Sequence, residues 1–201
     1  MRLFLSPTSP FARKVKVALI EKRLLDSIEE VRVDPWRSPA ELLAVNPMSQ
    51  VPTLVTDDGM ALSNSDMIIQ WLEQTHPELP LLPRDAVGSA RVLSVAALAH
   101  GVIESAVYVV IERRKPAGQQ NEDMITRRLQ GIKRALGVIE ERFDGSRVRF
   151  QLDGLNLACA LEYLDLREPA FDWRARCPGL AQWQHWAAAR PSLKQSAPPA
   201  H

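Results

Sequence analysis

The chain has 201 residues, 46% of them hydrophobic and 24% charged, with a formal net charge of +1. That length suits one compact unit or two small domains with a core that needs no metal or disulfide. So balanced a charge leaves no broad electrostatic footprint for nucleic acid, and no run of eighteen apolar residues stands out as a membrane span. The apolar run at the start is too short for a signal peptide, so a cytoplasmic protein without a membrane segment is expected. The two cysteines, Cys159 and Cys177, and the four histidines form neither a CxxC nor an HExxH pattern. No metal site is expected from them.

Arg2–Leu5 is a short apolar strand. Ser9-Pro10 then opens a helix in which Phe11, Val15, Ala18 and Leu19 recur at helical spacing, with Arg13, Lys14, Lys16 and Lys22 assigned to its other faces. By itself Ser9-Pro10 reads as an N-cap followed by an N1 proline. The same position also aims a hydroxyl and unpaired helix-end N–H groups at one point, an arrangement that favours an anion such as a thiolate. Residues 29–33 alternate as a second strand, parallel to the first in a right-handed βαβ unit. A looser stretch from Asp34 to Pro39 leads into a short helix at residues 40–45 and then to Asn46-Pro47.

Residues 51–55 read as a strand beginning at Pro52, and Asp57-Asp58-Gly59 turns the chain into a third-to-fourth strand hairpin ending at Leu62. Asn64-Ser65-Asp66 caps a helix that runs to about Thr75. Pro77, Pro80 and Pro83 mark a linker, after which strand signals largely vanish. Helices are expected at residues 86–113, 122–143, 152–166 and 179–189. A tail from Gln195 to His201 is expected to be disordered.

The order of these elements, with Thr8-Ser9-Pro10-Phe11 near one end of the first half and Val51-Pro52 further on, resembles the glutathione transferase superfamily, and most closely its small bacterial members. The resemblance implies an α/β N-terminal thioredoxin-like domain (βαβ-ββα) over residues 1–77, a linker at 78–85 and an all-α C-terminal helical domain over 86–201. It implies a cytoplasmic, homodimeric detoxification enzyme that takes glutathione as co-substrate, uses no metal, and passes it to a small hydrophobic electrophile.

The resemblance also implies residue roles. Ser9 would donate to the glutathione sulfur, because the Cys-Pro-x-Cys of redox relatives is here Ser9-Pro10-Phe11-Ala12 and supplies no thiol for disulfide exchange. Val51, turned by a cis bond to Pro52, would pair with the cysteinyl backbone; without the resemblance Pro52 reads as an ordinary trans proline at a strand edge. Asn64 and Ser65 stand where the family places an acidic residue and a serine for the γ-glutamyl group, although a plain helix cap fits them equally. Gln50 stands where members often carry a lysine for the glycyl carboxylate. Both substitutions remove a charge. Arg13 could help, though a solvated helix-face charge is the simpler reading.

In the second half, Gln151-Leu152-Asp153-Gly154 lacks the family's Ser/Thr-x-x-Asp capping box. An electrophile pocket between the domains would draw on Phe11, Trp36, His100, Glu104 and Tyr108, the last three sharing one helix face. The competing functions are a non-catalytic binding or regulatory module with the same fold, for which Asn64 and Gln50 speak, and a thiol–disulfide enzyme using Cys159 or Cys177.

Overall fold

The computed structural model describes residues 1–143 and 150–199. The chain divides into two compact units, one comprising Met1–Leu81 together with Pro191–His201 and the other Leu82–Arg190. The last segment thus belongs with the sheet, whereas the sequence assigned all of residues 86–201 to the helical half.

The first unit holds β1 (Arg2–Leu5), β2 (Glu29–Arg32), β3 (Thr53–Val55) and β4 (Ala61–Ser63) with helices α1 (Pro10–Glu21), α2 (Ala40–Leu43) and α3 (Ser65–Thr75). The sheet order is β2-β1-β3-β4. β1 runs parallel to β2, as a βαβ crossover requires, and antiparallel to β3, which pairs antiparallel with β4. Register sets the two faces. Leu3 stands opposite Leu54, which stands opposite Leu62. Phe4 and Val55 face the other way and join Val33 and Leu42 in a buried cluster. α1 packs on α3, with Val15, Leu19, Ile68 and Leu72 fully buried. Each such side chain contributes roughly 1.5–3 kcal/mol by leaving water.

Three of the four cations assigned to the outer faces of α1 are instead buried: Lys14 is 0% exposed, and Arg13 and Lys22 are also enclosed. Each has partners that offset the loss of hydration, as burial of a charge demands. Lys22 Nζ lies 2.5 Å from Glu73 Oε1 and donates to the carbonyls of His76 and Leu79, anchoring the end of α3. Helical spacing alone cannot separate a buried ion-paired lysine from a solvated one, because both sit among polar neighbours in sequence.

Within the tail expected to be disordered, Gln195 ends a helix and Ser196 and Ala197 make hydrogen bonds. α8 (Pro191–Gln195) packs on α1. Arg13 Nη2 donates to Leu193 O at 3.2 Å and Arg13 Nε to Ser196 Oγ at 3.3 Å, while the Ser192 hydroxyl donates to the Glu21 carboxylate. Residues 200–201 lie outside the described residues.

The second unit consists of α4 (Ala86–Arg113), α5 (Glu122–Arg142), α6 (Leu152–Arg167) and α7 (Pro178–Ala187). α4 is apolar and long enough to cross a membrane by length and composition. Here it is the spine of the unit, packed on both α5 and α6. The capping box missing from α6 is replaced in part: Gln151 makes no side-chain cap, but Asp153 Oδ1 accepts from Gly154 N at 2.7 Å. Gly154 is fixed by packing, since a Cβ there would meet Trp183 Cζ2 at 3.2 Å and Phe150 Cδ2 at 3.4 Å. Glu140 caps α7 from a distance in sequence, accepting from Gly179 N and Leu180 N at 2.7 and 2.8 Å.

Candidate functional site

The register Phe4–Thr53–Ser63 puts the C-terminal end of β1, the N-terminal end of β3 and the C-terminal end of β4 at one end of the sheet. The three segments named from the sequence leave the sheet at that end. Ser9 follows β1, Val51-Pro52 precedes β3, and Asn64-Ser65 follows β4.

Ser9 is the N-cap of α1. Its Oγ accepts from Ala12 N at 3.2 Å, Pro10 occupies the first turn, and Ser9 N donates to Ser6 O to close the preceding turn. A hydroxyl has two lone pairs and one proton. Capping engages a lone pair and leaves the proton to donate, so the cap and the candidate donor are compatible in one residue. The half-buried hydroxyl sits where the macrodipole of a 12-residue helix is positive.

The Val51-Pro52 bond is cis. The loop leading to it is held by Asn46, 4% exposed, which the sequence placed only after the short helix. Asn46 Nδ2 donates to Gln50 O and Thr53 Oγ1 at 3.0 and 2.9 Å, and its Oδ1 accepts from Met48 N at 3.0 Å. Ser49 adopts a left-handed φ of 50° and donates from its hydroxyl to Pro35 O. The Gln50 backbone is thereby fixed while its side chain is exposed.

At α3, Asn64 takes φ 72° and caps the helix with Oδ1 accepting from Asp66 N at 2.8 Å. Ser65 at the first helical position is 2% exposed. Asp66 lies 2.6 Å from the buried Lys14 Nζ. This pair, which sequence reasoning missed, ties α1 to the start of α3. The signal was present as a lysine four residues after Pro10 and an aspartate beside the cap, but nothing local links them.

Residues 8–75 match the family model described as Glutathione S-transferase, N-terminal domain. The uncharacterized GST-like protein YibF of Escherichia coli (strain K12) is 34% identical over 205 residues, covering 99% of each chain. This chain belongs to the glutathione transferase superfamily. A crystal structure of a glutathione transferase family member from Pseudomonas fluorescens Pf-5 with bound glutathione superposes with a TM-score of 0.93 at 36% identity, covering 99% of both chains. A glutathione S-transferase from Methylobacillus flagellatus KT with glutathione bound gives 0.89 at 32% identity, covering 98% of this chain and 99% of that one.

Against the family pattern, the charge missing at Asn64 is not simply restored by Asp66, whose carboxylate is engaged by Lys14. The residues expected to hold the electrophile fall in both units. In the first, Phe11 is half-buried on α1 and Trp36 is 63% exposed in a 3-10 turn at Pro35–Arg37. In the second, His100 Nε2 lies 3.5 Å from Glu104 Oε1, and Tyr108 carries the Arg128 guanidinium 4.6 Å above its ring. The α4 stripe is therefore occupied by contacts within its own unit. Both cysteines are buried thiols outside any disulfide, and burial together with the Glu140 charge pushes the Cys177 thiol above its usual range. Such a thiol is a poor nucleophile at neutral pH. Among the described residues no group of three or more His, Cys, Asp or Glu is placed to hold a metal ion.

Proposed function

We propose that this chain is a glutathione transferase in which the Ser9 hydroxyl donates to the sulfur of glutathione and holds it as the thiolate that attacks a small hydrophobic electrophile. The observation that carries the reading is the double use of Ser9, whose oxygen caps α1 while its proton remains to donate. A hydrogen bond to a charged acceptor contributes roughly 1.5–3 kcal/mol. If made only to the anion, it lowers the thiol pKa by about one to two units. The helix dipole adds in the same direction. Val51 would pair its backbone with the cysteinyl unit. Ser65 and the N-terminal amides of α3 would receive the γ-glutamyl carboxylate, with Gln50 donating to the glycyl carboxylate. Glutathione-bound relatives at above 30% identity over the whole chain support the co-substrate. A cytoplasmic homodimer belongs to the same proposal.

Replacing Ser9 with Ala should raise the pKa of bound glutathione while leaving its affinity nearly unchanged, read by thiolate absorbance against pH. An unaltered titration refutes the role of Ser9. A second reading, a non-catalytic module with this fold, is favoured by the engagement of Asn64 Oδ1 with Asp66 N and of Asp66 with Lys14. Calorimetry with millimolar glutathione separates the two. No binding refutes the transferase, and binding without turnover of any electrophile favours the module.

A further inference from the structure

Two ion pairs join α1 to α3 within the first unit. Lys14 Nζ lies 2.6 Å from Asp66 Oδ1, and Lys22 Nζ lies 2.5 Å from Glu73 Oε1. The pairs are eight residues apart on α1 and seven apart on α3, axial rises of about 12 and about 10.5 Å. That agreement fits two helices lying side by side and running the same way. Val15, Leu19, Ile68 and Leu72 fill the contact between them and are fully buried. Their burial stabilises without direction, so it does not by itself choose how far one helix slides along the other. An ion pair with an enclosed cation does choose, and fixing register is the best-attested use of such a pair.

The first pair stands beside both proposed anchors of the co-substrate. Ser9 lies five residues before Lys14 on α1, about 7.5 Å along the axis. Ser65 immediately precedes Asp66 at the start of α3. A ligand that meets both serines gains from the second contact only if their separation matches its own, because that contact is intramolecular once the first has formed. Lys14 is 0% exposed, so it acts through Asp66 rather than on a ligand. We infer that Lys14 is a positioning residue: its pair with Asp66 holds Ser65 at the distance from Ser9 that a γ-glutamyl thiol spans, and so selects γ-glutamyl thiols over thiols lacking that group. The inference rests on the transferase reading, in which Ser9 marks the sulfur and Ser65 the γ-glutamyl carboxylate. Lys22 has no share in it, because its bonds to Glu73 and to the carbonyls of His76 and Leu79 anchor the far end of α3.

The test titrates the whole protein calorimetrically with glutathione and, separately, with cysteinylglycine, which lacks the γ-glutamyl group. One hydrogen bond to a charged group predicts that the parent binds glutathione roughly tenfold or more tightly than cysteinylglycine. Lys14→Met keeps most of the apolar volume and should lower that ratio severalfold by weakening glutathione alone, with cysteinylglycine affinity unchanged. Asp66→Asn breaks the same pair from its other partner and should lower the ratio likewise. Lys22→Met perturbs the same two helices at their far end and should leave the ratio at its parental value, a separation that a purely structural role for the pairs would not produce. Equal parental affinities, a parental ratio in folded Lys14→Met or Asp66→Asn, or an equal fall in Lys22→Met overturns the inference. Absence of glutathione binding by the parent refutes the transferase reading and this inference together, whereas parental binding with an unaltered ratio in Lys14→Met refutes this inference alone.

Discussion

Lys14 and Asp66 are an unequal pair, and the inequality makes a quantitative prediction. Lys14 is fully enclosed, whereas the Asp66 side chain is 39% exposed, at 2.6 Å from the ammonium. Asp66→Asn removes the carboxylate that lies 2.6 Å from the buried cation. Breaking a fully buried pair in this way costs about 3–5 kcal/mol, and water reaching the exposed carboxylate side reduces that to about 2–3 kcal/mol, the range of one hydrogen bond to a charged group. Lys14→Met removes the cation, keeps most of the apolar volume and leaves a carboxylate that water can solvate. It should cost about 1 kcal/mol or less. Urea unfolding followed by far-UV circular dichroism measures both, and the double variant should resemble Lys14→Met because the buried charge is gone. If Lys14→Met is as damaging as Asp66→Asn, or both fall within about 0.5 kcal/mol of the parent, the pair does not hold α1 to α3 as argued.

Other positions give independent tests. Asn46→Ala removes three hydrogen bonds from the loop before Val51 and should cost about 2–3 kcal/mol, with glutathione affinity falling alongside; unchanged affinity in a folded variant would separate loop order from binding. Gly154→Ala forces a methyl to within 3.2 Å of Trp183 and should cost about 1–3 kcal/mol in thermal unfolding. Burial pushes the Glu168 carboxyl above its ordinary value of 4.5, with Arg113 opposing. The native state then holds the proton more tightly than the unfolded state, so this group's contribution declines as pH rises above 4.5. Glu168→Gln should flatten the stability curve in that interval, and an identical slope in parent and variant would refute the assignment. Cys159 and Cys177, both enclosed, should react with a disulfide reagent only after denaturation. Rapid labelling of the native protein would reopen thiol chemistry.

The architecture was legible where local periodicity and punctuation carry it. The βαβ-ββα order followed from alternation, from Asp57-Asp58-Gly59 and from the capping residues at Ser9 and Asn64. What escaped depends on contacts distant in sequence. Lys14 meets Asp66, Lys22 meets Glu73, and Arg13 meets Leu193 across almost the whole chain. A lysine on a helix looks the same in a sequence whether its partner is water or a carboxylate fifty residues away. Asn46 escaped for a related reason: it was noted only as following the short helix, whereas its amide nitrogen donates to Gln50 O and Thr53 Oγ1 and its amide oxygen accepts from Met48 N. The tail was read from its prolines and terminal position, whereas Arg13 bonds to Ser196 and to Leu193 just before it. At the candidate site the residue types and the Asn64 cap were readable, while the engagement of Asp66 by Lys14 depends on a contact distant in sequence.

The clasp between α1 and the final helix has a consequence for biosynthesis. Leu81 completes the first stretch of the sheet-bearing unit, but the segment that finishes it begins at Pro191, 110 positions later. At ribosomal speeds of about 5–20 residues per second, that interval lasts roughly 5–20 s. During it Arg13 lacks the carbonyl and hydroxyl that fix its guanidinium, and α1 presents a bare flank to the growing polypeptide. A nascent chain stalled before Pro191 should therefore show a loosened first helix, and supplying the missing C-terminal peptide in trans should tighten it.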